Sequence, residues 1–207
     1  MTLPAPFAYP TTVHQRRHRP ARYVDYRSYK PWLRDEFTFR CVYCLERERW
    51  YPNRAAAFSV DHVIPQTRAP DRVCDYENLV YACLRCNSTK RDVLLSDPTR
   101  VPFAECLSIN EDGTISPLNA EGADLIEILH LDHPAIIANR KKYLRILQIK
   151  LEYPNDSLIQ AEFLDAFGYP DDLPDLSARR RGAPGSKSVP TPSHFQLRHG
   201  NQLDEVY

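Results

Sequence analysis

From residue 1 to about 30 the apolar positions follow neither a period of 2 nor one of 3.6; Pro, Arg and Tyr alternate there instead, which predicts an extended basic arm. The first ordered pattern is Pro31 to Phe39, where Trp32, Leu33, Phe37 and Phe39 supply apolar contacts. Pro31 suits a first helical turn, so a short helix is predicted, leading into Cys41. Phe58 to Ile64 is a β-prone run that stops at Pro65, and the polar stretch to Asp75 predicts a loop. The apolar run Leu79 to Ala82 predicts a second strand or turn, and Asn87 to Asp92 a helix. Between Leu107 and Pro117, Glu111, Asp112 and Gly113 separate two short β-prone runs, a hairpin signal.

Helical spacing follows over Ala120 to Leu129 and Pro134 to Leu151, with Ile136, Ile137, Tyr143, Leu144, Leu147 and Leu151 largely on one stripe. From Tyr169 onward five prolines, the run Arg179 to Arg181 and few apolar residues predict a poorly ordered tail. The fold class is therefore α+β. Its predicted parts are an arm (1–30), a core (31–98), a hairpin with bracing helices (99–168) and a Pro-rich tail (169–207), with no internal repeat.

Composition narrows this picture. A chain of 207 residues can bury one sizeable core with appendages. With 43% hydrophobic and 26% charged residues it is an ordinary globular composition, although 18 prolines against 6 glycines imply extended stretches. A net charge of zero argues at first against a polyanionic partner, but the charge is uneven. Arg16 to Arg34 holds seven basic residues and one acidic one, whereas Leu151 to Ala178 holds seven acidic residues and no basic one. No apolar run approaches the roughly 20 residues of a membrane span, and the N-terminus lacks an apolar signal core, so a cytoplasmic protein without a membrane partner is expected.

Six cysteines in such a chain read as metal ligands more readily than as a disulfide framework. Cys41 with Cys44 and Cys83 with Cys86 form two C-x-x-C pairs, the ligand arrangement of a closed tetrahedral zinc site. Four thiolates leave no open position, so this Zn²⁺ is expected to be structural. Cys74 and Cys106 have no partner at ligand spacing and are assigned to packing. His14, His18, His130, His133, His194 and His199 likewise show no ligand spacing.

Beside the two pairs stand Asp61-His62-Val63-Ile64-Pro65, Asn78-Leu79 and Asn87-x-x-Lys90. Taken with Cys83-x-x-Cys86, this string resembles the HNH endonuclease superfamily in its zinc-knuckle form, over roughly residues 35 to 92 and more weakly to about 145. The resemblance implies a small ββα-metal (His-Me finger) nuclease core braced by the knuckle. It makes His62 the first histidine of the motif and Asn78 the middle asparagine, while Asn87 stands where the last histidine usually sits. The variant is thus H-N-N.

What the resemblance implies for chemistry is phosphodiester hydrolysis with His62 as general base, Asp61 and Asn87 holding a divalent cation, and Asn78 bracing the loop that carries His62. An oxygen-only ligand pair favours Mg²⁺ or Mn²⁺. Lys90 and Arg91 would contact neighbouring phosphate. A histidine acting as base must be neutral, so activity is expected to rise as pH climbs through roughly 6.5. Adjacent residues of a regular strand point to opposite faces, so either the strand ends at Asp61-His62 or a bulge re-aims one side chain.

For the arm, Arg16, Arg17, Arg19 and Arg22 among tyrosines fit phosphate and base contacts, and a solubilising tail fits the same composition. The first functional reading is an endonuclease that nicks or cuts DNA, as a restriction or anti-phage defence effector, with a larger regulatory or targeting protein as a further partner. The second is a zinc-knuckle nucleic-acid-binding subunit whose cleavage is absent or depends on a partner.

Overall fold

A computed structural model describes residues 5–20, 23–179 and 191–207. Arg22, Arg180 and Arg181 lie outside the described residues. The chain divides into two compact units, one formed by residues 15–94 with 170–204 and the other by 5–14, 95–169 and 205–207.

In the first unit two strands pair antiparallel, β1 (Phe58–His62) with β2 (Leu79–Cys83), placing Phe58 opposite Cys83 and His62 opposite Leu79. Every residue of β2 is buried, which is why its sequence is a continuous apolar run without alternation. Phe58 and Tyr81 stack across the pair with ring centroids 5.1 Å apart. The helix α1 (Lys30–Glu36) carries Pro31 in its first turn and buries Trp32 and Leu33.

Helix α2 (Leu84–Lys90) begins three residues earlier than its sequence suggests, directly after β2. The cause is local: the sulfur of Cys83 caps the helix, accepting the Cys86 N–H at 3.4 Å. Strand β1 in turn ends at His62 rather than Ile64.

Neither flank of this unit behaves as its composition suggests. Asp35 and Glu36, at the end of α1, are buried and need donors. Glu36 accepts the backbone N–H groups of Arg17 (2.8 Å) and His18 (3.0 Å), and Asp35 accepts Nε2–H of His18 at 2.7 Å. Residues 15–20 are therefore tied down rather than extended into solvent. From the other end of the chain comes α6 (His194–His199), opened by a Ser193–Gln196 capping box. The His194 N–H reaches Asp35 at 2.8 Å, and Leu173 and Leu176 are buried. The stretch predicted as a loose tail thus supplies a helix and core residues.

The second unit contains the predicted hairpin, β3 (Leu107–Ile109) with β4 (Ile115–Pro117), and α3 (Ala120–Leu129), α4 (Pro134–Glu152) and α5 (Ser157–Phe167). Gly122 of α3 lies so close to the hairpin that a Cβ would stand 1.9 Å from the Cys106 carbonyl oxygen. Helix α5, opened by the Asp156 side chain, is not among the predicted elements because its acidic residues mask the apolar positions Phe163, Ala166 and Phe167. On α4 the predicted stripe holds for Ile136 and Tyr143, but Leu151 is exposed and Arg140 is buried in its place. The Arg140 guanidinium donates to the Leu131 carbonyl at 3.0 Å, just beyond the end of α3. Among the described residues no helix is long and apolar enough to cross a membrane.

Candidate active site

The four predicted thiol ligands converge. The Sγ atoms of Cys41, Cys44, Cys83 and Cys86 all lie within 4.8 Å of one another, and all four residues are buried. Between Cys44 and Cys83 the separation is 3.7 Å, close to the roughly 3.8 Å expected of two sulfurs about 2.3 Å from one tetrahedral zinc. A tight turn makes this possible: the Leu45 N–H bonds the Cys41 carbonyl at 3.0 Å and Leu45 takes a left-handed φ of 63°. The Cys41 N–H then bonds the Glu46 carbonyl at 2.9 Å. Hydrogen bonds from the other three thiols hold Cys83 well below the ordinary thiol pKa, while burial pushes Cys44 up. The cluster can hold one zinc ion. Cys106 is buried and Cys74 half-buried, both outside the cluster.

The knuckle is joined to β1 by Tyr43, which lies between the first two cysteines. Its hydroxyl donates to Oδ2 of Asp61 at 2.7 Å. Asp61 is 4% exposed, and its other oxygen lies 3.3 Å from Nζ of Lys90. Burial raises the Asp61 pKa, with Lys90 and the Tyr43 hydroxyl acting in the opposite direction.

The strand stays in register through both Asp61 and His62 and ends there, without a bulge. The two side chains meet different neighbours. Nε2 of His62 lies 3.0 Å from the Val73 carbonyl oxygen, and Nδ1 lies 3.3 Å from Nε2 of Gln66. A carbonyl can only accept, so Nε2 carries the proton and Nδ1 keeps the lone pair. The Tyr26 ring meets the imidazole edge to face, with centroids 4.7 Å apart. Burial lowers the His62 pKa below the ordinary 6.5, against the Val73 and Asp61 interactions that raise it.

Asn78 is buried and bonds the chain just beyond His62. Its side-chain oxygen accepts the Ile64 N–H at 2.8 Å, and its amide donates to the carbonyls of Ile64 (3.1 Å) and Arg72 (3.3 Å). On α2, Asn87 and Lys90 share the face turned to β1. The Asn87 amide donates to Ser59 Oγ at 2.8 Å and to the Val60 carbonyl at 3.1 Å, which leaves its oxygen as the free end of the side chain.

The predicted phosphate contacts divide. Lys90 is only 1% exposed, and its ammonium is spent on Asp61 and on the His62 carbonyl at 2.7 Å, so it is not offered to a substrate backbone. Arg16 is also withdrawn: its guanidinium lies between the rings of Phe37 (5.3 Å) and Tyr76 (4.9 Å) and donates to the Leu79 carbonyl at 2.8 Å. Arg17 donates to the carbonyls of Asp35 and Pro192. Arg19 and Arg91 are exposed. Sequence reading missed Tyr43, Gln66 and Val73, and took Tyr26 for one of the arm's base-contacting tyrosines, whereas its ring lies against His62. Tyr43, inside the first C-x-x-C pair, and Gln66, which follows the Asp61 to Pro65 string directly, sit close enough to a motif to have drawn notice.

No curated protein matches the chain. Residues 41–92 match the family model described as HNH endonuclease, so across that span the chain carries the domain of an HNH-family nuclease, which implies a nucleic-acid substrate.

Proposed function

We propose that the chain is a metal-dependent endonuclease that hydrolyses phosphodiester bonds in DNA, with His62 as general base. The observation that carries this reading is the hydrogen bonding of His62. With Nε2 committed to Val73, the basic Nδ1 is held in the neutral ring, and burial keeps that ring uncharged near neutral pH. Nδ1 takes a proton from water, whose oxygen forms the new bond to phosphorus as the bond to the leaving sugar oxygen breaks. That oxygen then takes up a proton from solvent.

Asp61 and the free Asn87 oxygen fit a hard divalent ion in donor type, Mg²⁺ or Mn²⁺. Such an ion would offset the charge that grows on the phosphoryl and leaving oxygens. Until it binds, Lys90 balances the Asp61 carboxylate. Zinc in the four-thiolate knuckle is structural, since a closed tetrahedral site leaves no position for water. Arg19 and Arg91, both exposed, are the proposed phosphate contacts; preference for DNA follows the motif resemblance, as does service in restriction or anti-phage defence.

One observation favours a second reading. Lys90 already neutralises Asp61, which suits a subunit that cleaves only after a partner protein rearranges α2. Supercoiled plasmid incubated with wild type and His62→Ala in Mg²⁺, Mn²⁺ or EDTA separates the readings. The first expects nicking or cutting by wild type with either ion, none in EDTA and none by His62→Ala, whose zinc content and circular dichroism stay unchanged. Cleavage by His62→Ala at the wild-type rate would remove His62 as base. Activity with Zn²⁺ or Ni²⁺ but neither Mg²⁺ nor Mn²⁺ would count against the oxygen-ligand assignment.

A further inference from the structure

Three groups enclose the His62 imidazole, and one of them comes from outside the family match. Tyr26 precedes the matched span of 41–92, yet its ring meets that of His62 at 70° with centroids 4.7 Å apart. The turn that carries it, Tyr26–Tyr29, is capped by Asp25, whose side chain accepts the Arg27 N–H at 2.9 Å. Tyr29 is buried, edge-on to Tyr23 at 4.9 Å and tilted against Tyr76 at 5.5 Å. Nζ of Lys30 then ties the same stretch to β1, donating to the carbonyls of Ala55 (2.8 Å) and Phe58 (2.6 Å). Tyr26 is thus anchored to the strand that carries His62.

Gln66 meets the ring at Nδ1. Its Nε2 donates toward Nδ1 of His62 at 3.3 Å, while Val73 holds Nε2 of the ring at 3.0 Å. A half-turn of the ring would forfeit both bonds, and a proton shift between the nitrogens would set donor against donor at Gln66. The Gln66 bond is long enough to yield to an incoming water.

We propose that Tyr26 and Gln66 are positioning residues for His62: Tyr26 fixes the plane of the ring, and Gln66 keeps Nδ1 as the acceptor until water replaces it. The N-terminal segment is then part of the active site and not an accessory arm. The expected effect on rate rests on His62 being the general base; the orientation and tautomer of the ring do not.

The test pairs cleavage kinetics with ¹⁵N spectroscopy of the histidine side chains on the full chain, using Tyr26→Ala, Tyr26→Phe, Gln66→Ala and the double alanine variant. Tyr26→Ala and Gln66→Ala are expected to lower kcat about tenfold each, with KM within about twofold, since misaiming a reacting group costs rate more than affinity. Tyr26→Phe should restore wild-type kcat. The spectrum should show one Nε2–H tautomer for His62 in wild type and a mixture in the double variant, with zinc content unchanged. Equal loss in Tyr26→Phe and Tyr26→Ala would overturn ring positioning, and so would a double variant that keeps the single tautomer and the wild-type rate. If wild type cleaves nothing yet the tautomer still mixes in the double variant, positioning stands and the nuclease reading falls.

Discussion

Nζ of Lys90 stands 3.3 Å from Oδ1 of Asp61 and 2.7 Å from the carbonyl oxygen of His62, the two consecutive residues that end β1. A motif lysine that reads as a phosphate contact is therefore an internal counter-charge, linking the last turn of α2 to the strand end. Its burial forces this: an ammonium only 1% exposed must spend its donors on buried acceptors.

Removing that charge should cost stability before it costs substrate affinity. Lys90→Met leaves the Asp61 carboxylate buried with only the Tyr43 hydroxyl, and breaking a buried pair typically costs about 3 kcal/mol or more. Urea unfolding in EDTA should show a deficit of about that size, reduced when millimolar Mg²⁺ is present. A phosphate contact would behave differently, with unchanged unfolding and a salt dependence of DNA binding flattened by about one unit of slope.

The knuckle offers a second measurement. Four buried thiols converge on one point, and Tyr43 passes their position to Asp61. One zinc per chain is expected by metal analysis, and Cys83→Ser should lose it. Because a structural zinc contributes folding free energy directly, chelation should lower the melting temperature of wild type and leave Cys83→Ser, already depleted, little changed. Equal melting of the wild type with and without chelator would show that the thiols fold the knuckle unaided.

Much of this was legible in the sequence, for reasons that differ by element. The C-x-x-C pairs, the Asp61 to Pro65 string, Asn78 and Asn87 are local patterns, and the hairpin with α3 and α4 follows from turn residues and helical spacing. What escaped is non-local. Tyr26 reaches His62 across 35 intervening residues, and His194 reaches Asp35 across 158. No periodicity records such pairings. Composition misled in the same places: Arg16 reads as a free cation but stacks between two rings, and the proline-rich C-terminal stretch hides a capped helix. The all-apolar β2 was legible as a strand or turn, yet its companion α2 starts early because Cys83, one of the four clustered cysteines, is also the helix cap.

The non-local clasp carries its own pH dependence. Asp35 is fully buried; burial alone would raise its pKa, but hydrogen bonds from His18 and His194 more than offset this and hold the carboxyl well below its ordinary 3.8. A carboxyl depressed in the folded state stabilises fully above its unfolded pKa and loses that contribution as pH falls toward the folded value. Asp35→Asn should therefore cost about 2 kcal/mol near neutral pH, the order of a lost hydrogen bond to a buried charged group. The gap between wild type and Asp35→Asn, read from urea unfolding, should hold between pH 5 and 7 and narrow progressively below about pH 4. A gap constant down to pH 2 would mean that the carboxylate charge contributes nothing and the side chain acts by shape alone. Because His18 and His194 come from opposite flanks of the first unit, the same acid step should loosen residues 15–20 and 191–199 together, which amide hydrogen exchange can follow segment by segment.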